Sequence, residues 1–135
     1  MVISGMGTHL PTSARELVRG LSSETAGPEN LDEWRGCAAR GDDQVRKLVA
    51  LFNSFAEVHG DLAFTPPLLE TIRARTLIVH GDRDMFFPAH QAAEMHASIP
   101  DSALWIVPNA GHEMYFEPRE LFFRRVRATL TGPGD

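Results

Sequence analysis

Two polar turns carry the side chains with chemistry to offer. Gly81-Asp82-Arg83-Asp84 follows the apolar run Leu77–Val79, and Pro108-Asn109-Ala110-Gly111-His112 follows the apolar run Leu104–Val107. A carboxylate bonded to an imidazole fixes the ring's tautomer and stabilises its charged form, leaving the second ring nitrogen to take a proton from an attacking group. That chemistry needs the two turns within a hydrogen bond of each other. The segment between the runs has the length of a helix, so the layout is strand, crossover helix, parallel strand. Parallel strands share a direction, so both turns leave the same edge of the sheet, and neighbouring strands lie only ~4.8 Å apart. Asp84 and His112 are therefore expected to meet. Asp82 is the rival carboxylate, at a turn position where aspartate commonly bonds its own backbone.

The elements that must position these groups follow from the rest of the chain. Val2–Met6 reads as a first, buried strand. Ser13 is placed to cap a helix running to about Leu21, and Gly27-Pro28 breaks the chain. A short helix is expected from Leu31 or Asp32 to Ala39. Asp42-Asp43 are expected to cap the longest helix, which Gly60 ends and in which Val45, Leu48, Val49, Phe52, Phe55 and Ala56 form one apolar stripe. Thr65-Pro66-Pro67 opens another short helix, proline being suited to a first turn. A helix from Pro88 or Ala89 to Ile99 crosses over between the two apolar runs. A last one, Pro118 to Leu130, is expected to pack Leu121, Phe122, Val126 and Leu130 inward, leaving Arg124, Arg125 and Arg127 as a solvated face.

The residues HGDRDMFFP, the helix behind them and IPDSALWIVPNAGH resemble the C-terminal third of the α/β-hydrolase fold. In that family the triad runs nucleophile, acid, histidine along the chain, with the nucleophile on a sharp G-x-S-x-G elbow. The resemblance implies Asp84 as the acid, its G-x-x-D spacing favouring it over Asp82, and His112 as the base. It implies that Val2–Met6 is the strand before a cap, that residues 12–64 are that helical cap, and that residues 75–130 are the C-terminal core. The fold class is then α/β, a partial α/β-hydrolase-like parallel sheet of about three strands with flanking helices and an inserted helical cap, in one domain. No G-x-S-x-G occurs, nor a Cys or Asp on such a turn. Ser4 lacks the elbow, and Cys37 sits in a helical pattern.

Phe86 and Phe87 beside the acid, and Met114, Tyr115 and Phe116 beside the histidine, are expected to wall the site with apolar surface, with Trp34, Phe52 and Phe55 joining from the cap. Such a pocket suits small apolar esters or related acyl compounds, although ordinary packing accounts equally well for the five side chains beside the acid and the histidine, and better for those of the cap stripe. Esterases, lactonases, haloperoxidase-like enzymes and C–C hydrolases of the family share this pattern, so the resemblance leaves the reaction open. No cofactor is implied. Six histidines include no H-E-x-x-H pair and no zinc-like spacing with the one cysteine, so no metal site is expected.

A length of 135 residues with 43% apolar residues is enough for a core, and a net charge of −5 argues against a nucleic-acid or anionic-membrane surface. No stretch reads as a membrane span or an export signal, and a cytoplasmic location is the expectation. An apolar first strand with an open edge calls for cover, from a second copy or a complementing chain at Val2–Met6. Three readings of function follow. The chain is the acid and base half of a serine-type hydrolase, a silent module acting by association, or a minimal hydrolase with His112 as base for water.

Overall fold

The computed structural model describes residues 1–22, 28–60, 63–114 and 119–131. In chain order the elements are β1 (Val2–Ser4), α1 (Thr12–Gly20), α2 (Pro28–Cys37), α3 (Asp42–Ser54), α4 (Pro66–Leu69), β2 (Thr76–Gly81), α5 (Ala89–Ser98), β3 (Ser102–Val107) and α6 (Arg119–Thr131). They fall into two compact units, one made of Met1–Leu10 with Leu62–Asp135, the other of Pro11–Asp61.

The first unit is built on a three-stranded sheet in the order β1-β2-β3. Both pairings are parallel: Val2 to Ser4 stand beside Leu77 to Val79, and Thr76 to Gly81 beside Ser102 to Val107. All six residues of β2 are buried, as a central parallel strand covered on both faces requires. The two-residue period sends Ile78 to one face, where it packs with Leu69, Ala92, Met95 and Ile99. Leu77 and Val79 go to the other, where Val107 and Met114 complete the core and Phe122 and Val126 of α6 cover it.

β1 is shorter than the expected Val2–Met6. Gly5 takes a left-handed φ of 57°, which turns the chain out of the extended path one residue after Ser4. α6 also buries less than its sequence suggests. None of its residues is fully buried, and Leu130, expected inward, is 51% exposed.

The second unit holds α1, α2 and α3. Ala14 and Val18 of α1 are buried, and Arg15 donates to the carbonyls of Phe55 at 2.8 Å and Val58 at 2.6 Å, satisfying acceptors beyond the end of α3. Neither α1 nor α3 has a side-chain cap at its N-terminus. The N-cap positions are Pro11 and Gly41, so Ser13 lies inside its helix, and Asp42 and Asp43 occupy the first turn of α3, where the helix dipole favours negative charge. α2 starts at Pro28, earlier than expected, with the proline as first helical residue. α3 ends at Ser54, well before Gly60. Of its apolar stripe, Val45 and Ala56 are buried, while Leu48 is 53% exposed.

No described helix is long and apolar enough to cross a membrane.

Candidate active site

β2 and β3 run side by side and end level, Gly81 beside Val107, so the turn after each leaves the sheet at the same edge. Backbone and side chains then lace the turns together. Asp82 N–H donates to the Val107 carbonyl at 3.1 Å and Arg83 N–H to that of Ala110 at 2.9 Å. The Asp82 carboxylate accepts from Ala110 N–H at 3.2 Å, and the Arg83 guanidinium donates to Asn109 Oδ1. Asp82 thus bonds the neighbouring turn rather than its own backbone, which commits it to holding the turns together. Asn109 has φ 59°, a left-handed conformation that asparagine tolerates better than most residues, and it bends the chain back toward the sheet after β3.

This lacing brings Asp84 and His112 together. His112 Nδ1 lies 2.9 Å from Asp84 Oδ2. The other carboxylate oxygen, Oδ1, accepts from the backbone N–H groups of Phe86 at 2.8 Å and Phe87 at 3.0 Å. With its side chain wholly buried, Asp84 meets two opposing influences. Burial pushes its carboxyl up, but the hydrogen bond from His112 and those from the Phe87 and Phe86 amides together outweigh it, and the group lies below the ordinary carboxylate range. His112 is raised above the ordinary imidazole value. The hydrogen bond to Asp84 raises it most, partial burial opposes, and the charges of Asp84 and Glu113 add to the rise. Nδ1 donates to the carboxylate, so Nε2 is the nitrogen left for another partner, and no hydrogen bond to it is made among the described residues.

The two shifts set a window of pH. The stabilisation that His112 draws from its partner is complete below its unfolded pKa of about 6.5 and is lost as pH rises through the raised folded value. That of Asp84 is complete above about 3.8 and is lost as pH falls through its lowered folded value. Both contributions are whole between those limits. Urea midpoints measured across pH are expected to plateau from about 4 to about 6.5 and decline on either side. In His112→Ala the part of the alkaline decline due to this pair is expected to disappear; an unaltered alkaline limb would show that the pair is not formed.

The expected wall residues take different places. Phe86 meets the His112 ring edge-on with centroids 4.9 Å apart, and the Phe87 ring lies 6.0 Å away. A cleft of about 780 Å³ runs along the two turns, with Met85, Phe86 and His112 among its lining. Met114 touches this cleft but is only 2% exposed and belongs to the core under α6, where its sulfur accepts from Ser4 Oγ at 3.1 Å. That bond also occupies the hydroxyl of β1. Tyr115 and Phe116 lie outside the described residues. Trp34 belongs to the second unit, where with Phe52 and Phe55 it lines a separate apolar cavity of about 430 Å³. Among the described residues no group of three or more His, Cys, Asp or Glu side chains converges as metal ligands do.

Three residues at the site were given no packing or bonding role from sequence. A Cβ on Gly81 would lie 2.2 Å from the Gly111 carbonyl oxygen, so this glycine admits the second turn. Gly5 brings the chain leaving β1 against His112; a Cβ there would lie 3.0 Å from its carbonyl oxygen and 3.3 Å from its ring. His80, fully buried on β2, donates from Nε2 to the Phe87 carbonyl at 2.8 Å. The signal available for Gly81 was a glycine closing a strand directly before the turn, a common mark of close backbone approach.

Comparison with known proteins bears on what such a pair does. The family model described as the alpha/beta hydrolase fold matches residues 8–118. The chain is 34% identical over 62 residues to proline iminopeptidase PfmaB of Pestalotiopsis fici, a match covering 46% of this chain and 22% of that protein. It is 28% identical over 94 residues to 2-hydroxy-6-oxo-6-(2'-aminophenyl)hexa-2,4-dienoic acid hydrolase of Metapseudomonas resinovorans, covering 70% of this chain and 32% of that one. Among solved structures, 2-hydroxy-6-oxo-6-phenylhexa-2,4-dienoate hydrolase of Rhodococcus sp. strain RHA1 superposes with a TM-score of 0.68 over 97% of this chain and 54% of its own, at 18% identity, a likeness of fold. The chain thus spans about a third or less of these two curated relatives and about half of the solved structure.

Proposed function

The chain belongs to the α/β-hydrolase fold family, and we propose that within it these 135 residues supply the acid and base of a hydrolytic site whose attacking group comes from outside them. The observation that carries this reading is the 2.9 Å bond between Asp84 Oδ2 and His112 Nδ1, with Nε2 left for a further partner. No G-x-S-x-G or other elbow nucleophile occurs in the sequence, so the pair is half of a site.

In this role His112 Nε2 takes the proton of the attacking hydroxyl as its oxygen bonds the acyl carbon, and Asp84 stabilises the imidazolium that forms. Collapse of the tetrahedral intermediate expels the leaving group, which takes that proton. A water molecule, deprotonated by the same nitrogen, then bonds the acyl carbon; the acyl bond to the attacking group breaks, its oxygen takes the proton back, and the acid product leaves. The base must be neutral to act, so turnover is expected to rise with pH through a value above the ordinary 6.5. The substrate class is a small apolar ester or acyl compound. Phe86 and Met85, which line the cleft beside the imidazole, support it by giving the site an apolar side. The two curated relatives are named as a peptidase and as a dienoic acid hydrolase, so the bond cleaved is set by more than this half-site. Residues 12–64 form, in the same proposal, the cap of the completed enzyme.

β1 favours a complement. It pairs only with β2 among the described strands, and its half-buried residues present a second, open edge. A preceding segment, a separate chain or a second copy of this one would cover it. The test uses the chain as it stands, with p-nitrophenyl butyrate. No turnover above buffer is expected, and the reading frame ahead of Met1, or a neighbouring gene, is expected to encode the G-x-S-x-G elbow. Turnover by the chain alone that vanishes in His112→Ala would replace this reading with His112 acting directly on water.

A further inference from the structure

His80 has no part in the chemistry above, yet it is fully buried on β2, directly before the same turn. A carbonyl only accepts, so the 2.8 Å contact with the Phe87 oxygen places a proton on His80 Nε2. The same nitrogen is 3.9 Å from Asp84 Oδ2, too far for a second hydrogen bond. Nδ1 is buried without a hydrogen-bond partner. Burying an imidazole with one nitrogen unmatched is costly. An apolar residue would serve the core with less penalty, so the single bond His80 makes is the feature to account for.

That bond acts on Phe87, which is held at three points. Its amide donates to Asp84 Oδ1, its carbonyl accepts from His80, and its ring presses on Gly7, where a Cβ would come within 2.4 Å of Cδ1. Fixing the carbonyl fixes the peptide plane after Phe87 and, through it, the backbone that aims the Phe86 and Phe87 amides at the carboxylate. We propose that His80 is a positioning residue: by donating to the Phe87 carbonyl it locks the turn that grips Asp84 Oδ1, and so keeps Oδ2 on His112 Nδ1. This rests on the acid and base reading of Asp84 and His112, and the experiment separates the two.

The full 15N-labelled chain is read by imidazole-selective NMR, which reports tautomer and titration of each histidine without any catalysis. In the unaltered chain His80 is expected as the Nε2–H tautomer, and His112, facing Asp84 and Glu113, is expected to titrate above 6.5. His80→Leu removes the donor, and the His112 midpoint is expected to fall by about half a pH unit or more while the Phe86 and Phe87 amides exchange about tenfold faster. His80→Gln places an amide N–H near the same point and is expected to restore both. Three results overturn the proposal: His80 protonated on Nδ1 in the unaltered chain, a folded His80→Leu with His112 and both amides unchanged, or His80→Gln that folds but fails to restore them. If His80→Leu does not fold, the tautomer and His80→Gln decide. A His112 that titrates at the ordinary value in the unaltered chain defeats the acid and base reading itself, and is a separate outcome from an unshifted midpoint in His80→Leu.

Discussion

Gly81→Ala is expected to lower stability by about 3 kcal/mol, the upper part of the usual overpacking range, and to release His112 from Asp84. The added methyl would meet the Gly111 oxygen at 2.2 Å, the Ala110 oxygen at 2.3 Å and the Ala110 carbonyl carbon at 2.7 Å, all of them backbone. A flexible side chain could swing away; a peptide anchored by Asp82 and Arg83 cannot do so without breaking those bonds. Relief therefore comes by moving the second turn, which carries the imidazole with it. Against a typical total of ~5–15 kcal/mol for a domain, the loss is large. Urea unfolding measures the first effect and the His112 titration the second, which is expected to fall back toward the ordinary imidazole value. An alanine variant of unchanged midpoint and unchanged titration would mean that the two turns are not in contact.

Asp84→Asn is the second large effect, and it works through the tautomer. The side-chain oxygen of asparagine keeps the Phe86 and Phe87 amides, which leaves its NH₂ group facing His112 Nδ1. Two donors cannot share that contact, so the ring shifts its proton to Nε2, the nitrogen that has to receive one. On the proposed acid and base reading, in a form completed with a nucleophile, kcat is expected to drop by about 10⁴, the loss typical when a triad acid is replaced by its amide. In the chain alone the imidazole signals are expected to report the Nε2–H tautomer and a lowered midpoint. Retention of the Nδ1–H form in the variant would sink the acid role of Asp84.

Much of this arrangement was legible in the sequence because it is local. Two apolar runs a helix apart, each ending in a polar turn, specify a parallel pair, and the pair puts the turns at one edge. The family resemblance pointed to Asp84 over Asp82, and the lacing of Asp82 to Ala110 gives the physical reason for a different employment of that aspartate. What the sequence left unread depends on approach distances between segments far apart in the chain. The tightness at Gly81 and Gly5 and the bond from His80 to Phe87 exist only once the strands are docked. Met114 shows the same limit. Next to a site histidine an apolar residue reads equally as wall or as core, and only its burial under α6 places it mostly in the core. The helix starts were misread for a simpler reason: Ser13 and Asp42 are good capping types, but here the chain enters each helix one or two residues earlier, through Pro11 and Gly41.

The register of the sheet also fixes an order of entropic costs during folding. β2 and β3 are joined by a single crossover, Thr76 standing beside Ser102, whereas β1 pairs Val2 with Leu77 only after a loop of about 75 residues has closed. Short closures come more cheaply, and contacts of low sequence separation are the ones that form fastest. The acid and the imidazole both ride on that short crossover. The closure that lets their hydrogen bond form is therefore expected to cost less entropy than the one that recruits β1.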